Sequence, residues 1–287
     1  LPDTTAVRLA GDTMRPRRLR FGGLALLVGL ACAALMGFTG CESRASSPLS
    51  VLRNPLSDPA QRLDAITQLQ AGGKQALLEA KPELIEALAS TLPDRQRAAE
   101  AALILIGPES ASDLVKVSTL HKTADGKSYV TTGQFLSHGS VLRILRQTSA
   151  DDSVVERVAV IIKNGDFNER LHATELLGAL SVKNSLALTN LIKLISDQDT
   201  LIRIAAINEA ADLQQSSDSS LISALTAALD DPTIAVREAA CVGLGSMGPS
   251  AIQAETALKR LTNERDPRLV QLARIAVSNV SKPKLDR

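Results

Sequence analysis

A chain of 287 residues is long enough for one or two domains with a real hydrophobic interior. Apolar residues make up 45% of it but aromatics only 2%, so that interior is packed with Ala, Leu, Ile and Val, which suits close-packed helices better than sheets rich in β-branched and aromatic residues. Formal net charge is +1; residues 1–41 hold five Arg against Asp3 and Asp12, a net of +3, which leaves −2 on the rest, where the aromatics are Tyr129, Phe135 and Phe167. A body with neither a positive field nor a stacking platform is not that of a nucleic-acid binder.

From Met14 the chain reads MRPRRLR and then FGGLALLVGLACAALMGFTGC. A basic stretch followed by an apolar run is the layout of a secretory signal. Met14 is therefore read as the start, residues 1–13 as an upstream extension and residues 14–40 as the signal. The run ends in Phe38-Thr39-Gly40-Cys41, which resembles the lipobox of bacterial lipoproteins. That resemblance implies a diacylglycerol on Cys41, which would become the mature N-terminus. The stretch Phe21 to Cys41 is also 21 residues without a charge, long enough to span a bilayer uncleaved. Three arrangements stay open: a lipidated Cys41, an uncleaved helical anchor, and an ordinary cleaved signal. Each places the body in the bacterial cell envelope, facing the periplasm or the exterior. The following ESRASSPLSVLRNPLSDP is polar and rich in Ser and Pro, and it predicts a flexible tether over residues 41–57.

Beyond Asp58 the dominant signal is self-similarity. The stretches ERLHATELLGAL, IRIAAINEAADL, VREAACVGLGSM and VQLARIAVSNV align on Arg170, Arg203, Arg237 and Gln271, at spacings of 33, 34 and 34. RQRAAEAALILIGP matches the third of these and shares its Gly-Pro ending, Gly107-Pro108 against Gly248-Pro249; RLDAITQLQAGG fits more loosely. Within one unit Ala173, Leu176, Leu177 and Leu180 form one apolar helical stripe, and Leu188, Leu191, Ile192 and Ile195 form a second. A two-helix unit with one stripe per helix cannot cover itself, so units must stack. Asp58-Pro59, Asp231-Pro232 and Asp266-Pro267 are expected to cap and open helices, and Asp94, Asp166 and Asp199 to cap without proline.

A fixed period of this length with two helices per unit resembles HEAT repeats, in particular the short bacterial form found in phycobilin lyases. The fold so implied is all-α, an α-solenoid of about six stacked two-helix HEAT-like repeats over residues 58–280, with a tail at 281–287. The resemblance also implies an Asp–Arg ladder between units. Asp197 and Asp231 each stand six residues before their Arg, so Asp197, Arg203, Asp231, Arg237 and Arg170 are read as that structural ladder rather than as a basic stripe for an anionic partner.

Gly243-Leu-Gly245-Ser-Met-Gly248 spells GxGxxG, but a dinucleotide site needs that turn after a strand, and the preceding REAACV is helical. His121, His138 and His172 have no short ligand spacing and no Cys partner, so no metal site and no cofactor are predicted. Cys241 is read as a small core residue. Residues 122–138, KTADGKSYVTTGQFLSH, break the period with an Asp-Gly turn signal and a β-favouring string. Insertions in solenoids map to loops on one face, often the binding face, so Tyr129 and Phe135 are the candidate partner contacts.

No catalytic constellation appears. The leading reading is a membrane-tethered, non-catalytic scaffold for a protein or peptide partner in the envelope, held to the membrane by lipid or an N-terminal helix. Two alternatives are carried with it: a bilin-lyase-like enzyme or enzyme accessory, and a purely structural envelope protein.

Overall fold

The computed structural model describes residues 47–118, 121–122, 128–129, 138–213 and 218–282. The chain divides into two compact units, Leu1–Ala45 and Ser46–Arg287, and the described residues lie in the second. Cys41, Phe135 and the expected signal over residues 14–40 lie outside them. No helix among the described residues is long and apolar enough to cross a membrane.

The helices come in pairs. α1 (Pro48–Arg53) precedes α2 (Pro59–Ala71), and the short α3 (Lys74–Glu79) and α4 (Lys81–Ala87) together precede α5 (Pro93–Ile106). α6 (Pro108–Ser118) precedes α7 (His138–Gln147), and α8 (Asp152–Asn164) precedes α9 (Phe167–Ser181). α10 (Ser185–Leu194) precedes α11 (Thr200–Ala211), and α12 (Ser219–Ala228) precedes α13 (Ile234–Met247). A 3-10 segment, Gly248–Ala254, and α14 (Glu255–Leu261) precede α15 (Pro267–Val280). The architecture is an α-solenoid with seven such pairs among the described residues, against about six expected.

One register organises the second helix of each pair. α9 buries Ala173, Leu176, Leu177 and Leu180; counted from the start of the helix, α5 buries the equivalent Ala99, Ala102, Leu103 and Ile106, and α7 buries Val141, Ile144 and Leu145 at the same mutual spacing. The stripe recurs because a helix sandwiched between two like neighbours must bury the same positions in every unit. Each large side chain so buried contributes roughly 1.5–3 kcal/mol. α9, α11, α13 and α15 pack extensively on one another in succession, whereas α8, α10 and α12 touch their successors more lightly. The more closely packed row is here called the inner row and the other the outer row.

Helix starts follow the sequence in part. Asp58 and Asp166 close capping boxes with Gln61 and Glu169, and Asp199 and Asp266 accept the N–H groups of Leu201 and Leu269. Two expected caps fail. α5 starts after Leu92, so Asp94 sits inside its first turn and caps nothing. α13 starts after Thr233, not at Asp231-Pro232; Asp231 is already committed to the Thr233 N–H at 2.8 Å and to Arg203. Aligning α15 by its cap also moves the fourth reference position from Gln271 to Val270, since Asp266 occupies the place of Thr233. Both Gly-Pro pairs behave as expected, with Gly107 and Gly248 ending their helices at φ +81° and +56°.

The expected tether over residues 41–57 is corrected at its C-terminal end. Pro48–Arg53 is helical, because Ser47 caps it and Leu52 finds burial against the stack. The insert carries an antiparallel pair of short strands, β1 (His121–Lys122) and β2 (Ser128–Tyr129), with His121 opposite Tyr129. The Ser-Tyr part of the β-favouring string thus lies in a strand.

Candidate interaction face

The turn from outer to inner helix of each pair falls at one edge of the stack, and the ladder residues meet there. Arg170 on α9 donates through Nη2 to both carboxylate oxygens of Asp197 at 2.6 Å, in the turn before α11. Arg203 on α11 repeats this with Asp231 in the turn before α13: Nη2 donates to Oδ1 at 3.2 Å, while Nε lies 2.9 Å from Oδ2 with its N–H directed elsewhere. Each carboxylate also accepts a backbone N–H two residues on, from Asp199 and Thr233. Burial opposes ionisation of Asp231, but the Thr233 N–H and the Arg203 guanidinium outweigh it and hold its pKa below the usual aspartate value. Both pairs are fully used between neighbouring units, so neither has a free charge for a partner.

Arg237 breaks the series. Its Nη1 donates to the carbonyls of Asp231 and Pro232 at 2.8 and 3.4 Å, but no described carboxylate lies within ion-pair distance of it. Glu264 occupies the place of Asp231 one unit on, and its longer side chain is exposed instead of folding into the turn. A cleft of about 320 Å³ beside the Arg203–Asp231 rung is lined by Ile195, Asp197, Arg203, Ala227 and Asp231, among others. Its charged walls already satisfy one another, so it holds no unmatched chemistry.

The inner row carries a feature the sequence does not announce. Arg146 on α7 reaches past α9 to α11, where Nη2 meets Glu209 at 3.0 Å and Asp212 at 2.8 Å. The long Arg146 side chain thus spans the intervening helix. Gly178 on α9 clears the path: a Cβ there would come within 2.6 Å of Glu209 Cβ. Burial pushes the Glu209 pKa up, with Asp212 and Glu175 adding to the push, against the opposing pull of Arg146. The glycine inside α9 is the one sequence signal of this link. One unit earlier on the same row, Arg143 holds Glu100 at 2.6 Å, and the Ser140 hydroxyl donates to it at 2.5 Å.

Beyond this polar stretch the inner face turns apolar. Val242 and Ile275 stand nine places after the caps of α13 and α15, each 50% exposed. Leu201 on α11 is 55% exposed, Ala235 on α13 is exposed, and the half-buried Ala239 and Leu272 fill the positions between. Contiguous exposed apolar surface rimmed by charge is the mark of an interaction site rather than of chemistry. α15 presents a polar flank, Arg268, Gln271, Arg274 and Ser278.

Tyr129 lies on β2, in the connection between α6 and α7, away from the α11–α15 surface in chain order. Gly243 and Gly245 sit within α13, where Gly245 lets α15 approach: a Cβ there would meet Ala276 Cα at 3.2 Å. The GxGxxG string therefore serves helix packing. Cys241 is fully buried, and burial pushes its thiol pKa to about 12, so it is not a nucleophile. No cluster of three or more His, Cys, Asp or Glu among the described residues is placed to hold a metal ion.

The profile of the HEAT repeat family matches residues 188–279. No curated protein matches the chain. Among solved structures, it is similar to a designed armadillo repeat protein in complex with the peptide (KR)4, at 14% identity over 83% of this chain and 100% of that one, with a TM-score of 0.39. It is also similar to human deoxyhypusine hydroxylase in complex with glycerol, at 17% identity over 81% and 94% of the two chains and a TM-score of 0.38. A third similarity is to the karyopherin Kap121p bound to the extreme C-terminus of the protein phosphatase Cdc14p, at 13% identity over 82% of this chain and 29% of that one, with a TM-score of 0.46. With the stacked pairs, the shared register and the inter-unit rungs in place, the matched segment from α10 to α15 is a run of HEAT repeats within an α-solenoid.

Proposed function

We propose that the protein is a non-catalytic scaffold of the bacterial envelope, tethered at its N-terminus, that binds a protein partner on the inner face of α11, α13 and α15. A repeat solenoid is suited to such a role because it presents an extended surface built from rigid helices. The observation that carries the reading is that Val242 and Ile275, each 50% exposed, hold the same place on the closely packed helices α13 and α15. The Cys41 context supports a lipid tether, which would keep this face beside envelope partners.

The test is crosslinking in native membranes with the full chain. A defined adduct is expected from the wild type and is lost in Val242→Asp/Ile275→Asp. It persists in Val160→Asp, a control at a 57% exposed position on the outer row. Loss in both variants, or no adduct in the wild type, counts against the face. The tether is read separately: labelled palmitate is incorporated by the wild type and not by Cys41→Ser, and absence of label in the wild type removes the lipoprotein part alone.

A further inference from the structure

The two complete rungs of the ladder show what its first rung lacks. Arg62 stands four places after the cap Asp58 on α2, the position held by Arg170 on α9 and Arg203 on α11. In the complete rungs the next unit's turn supplies Asp197 or Asp231, two places before the helix N-cap. Before α5 that place is Ser90, whose hydroxyl accepts the Leu92 N–H at 3.2 Å, making the same turn without the charge. The rung has also acquired a second guanidinium, Arg95, in the first turn of α5, which packs against α2.

Neither arginine is balanced. The Nε of each is buried with no hydrogen-bond partner, as is that of the ion-paired Arg203, so what sets these two apart is the lack of a carboxylate. Arg62 donates through Nη2 to the Asn54 carbonyl at 2.9 Å, and no described carboxylate comes within 4.0 Å of either side chain's nitrogens. The acids around them are accounted for. Asp58 accepts the Ala60 N–H at 3.0 Å, Asp64 accepts from the Gln68 amide at 2.7 Å, and Asp94 and Glu86 are exposed. Burial and the nearby Arg62 charge pull the Arg95 pKa down, with Glu86 opposing.

A rung with one arginine and one carboxylate is neutral; this one brings two arginines and no ion-paired carboxylate among the described residues. We propose that Arg62 and Arg95 bind the oxygens of a dianionic phosphate, free or as a monoester. A phosphate monoester carries close to two negative charges at neutral pH and offers three strong acceptor oxygens. The planar guanidinium matches pairs of those oxygens bidentately, and α2 and α5, which carry the two arginines, pack against each other. A single carboxylate would balance only one of the two cations, as Asp197 does for Arg170.

Thermal unfolding of the full chain in non-ionic detergent, followed by circular dichroism, tests this with two probes. In one arm inorganic phosphate is titrated against chloride at matched ionic strength; in the other the micelles are doped with phosphatidic acid or with phosphatidylcholine. The wild type is expected to melt several degrees higher with phosphate, with phosphatidic acid, or with both, since a ligand of the native state raises its melting temperature. Arg62→Gln/Arg95→Gln abolishes the rise, and Arg274→Gln, an exposed position on α15, retains it. The double variant melts no lower than the wild type in chloride, because it removes two unbalanced cations, so the lost response is not lost folding. A rise in the first arm assigns a soluble phosphate, and a rise in the second alone assigns a lipid headgroup. No rise in either arm, or an undiminished rise in the double variant, overturns the site.

Discussion

The stack from α8 to α15 and the stack before α8 solve the same packing problem with different means. From α9 through α12 every helix opens on a side-chain cap: Asp166, Asn184, Asp199 and Asp218 each accept a first-turn N–H. Two ion-paired rungs tie consecutive units, and the HEAT family profile matches within this stretch. Before α8 the outer row is broken into the short α3 and α4, neither of which has a side-chain cap, and α5 opens on Leu92. The period there is interrupted by the connection that carries β1 and β2. The core register nevertheless persists through both halves. What holds a solenoid in register is thus the buried stripe, while caps and rungs refine the spacing and can be dispensed with where other side chains bridge the units.

The sharpest way to break this comparison is to cut into each core in turn. Leu244→Ala on α13 and Leu77→Ala on α3, both at 1% exposure or less, should each cost about 2–5 kcal/mol. Urea denaturation followed by circular dichroism gives one shifted transition in both variants if the halves fold together. Two transitions, each moved by only one of the variants, would show that the regular half is a folding unit of its own.

The ladder yields a ranking within the regular half. Arg203→Met strands the Asp231 carboxylate, only 12% exposed, and should cost on the order of 3 kcal/mol. Arg237→Met strands no carboxylate and should cost clearly less. Equal losses in chemical denaturation would mean that the guanidinium stem, not the ion pair, stabilises the edge. Across the two halves, Gly178→Ala should cost roughly 1–3 kcal/mol by overpacking against Glu209. A double-mutant cycle with Arg146→Met reads whether that cost includes the bridge from α7; strict additivity would separate the two.

The smallest effects are electrostatic. The folded pKa of Asp231 is lowered, so it contributes stability above the unfolded value of 3.8 that is lost as pH falls through the depressed folded value. Asp231→Asn should therefore flatten the loss of stability on acidification. Glu209 has the opposite sign: its raised pKa contributes stability below the unfolded value of 4.5, lost as pH rises through the folded one. Glu209→Gln should compare more favourably with the wild type at neutral pH than at pH ~4, and melting temperatures across that range decide it. Glu264→Asp should supply the missing third rung and gain about 0.5 kcal/mol; no gain would place Arg237 out of reach of that turn.

Much of this protein is legible in its residues alone. Helix class, the repeat and most of its stripes follow from a period near 34 residues, because stacked identical units impose identical burial at identical positions. Caps were legible where the carboxylate had no competing partner, as at Asp58 and Asp266, and misread at Asp231, where an inter-unit arginine claims it. Three features needed the tertiary structure. Arg146 on α7 reaches α11 past Gly178, a link between units two apart that no local pattern encodes. The apolar inner surface at Val242 and Ile275 is invisible in sequence, since an exposed aliphatic residue reads there like a core one. The unbalanced Arg62 and Arg95 emerge only once Ser90 is seen to occupy the turn where other units place an aspartate. Periodicity reports what every unit shares, whereas function in a repeat protein resides in the places where one unit departs from the rest.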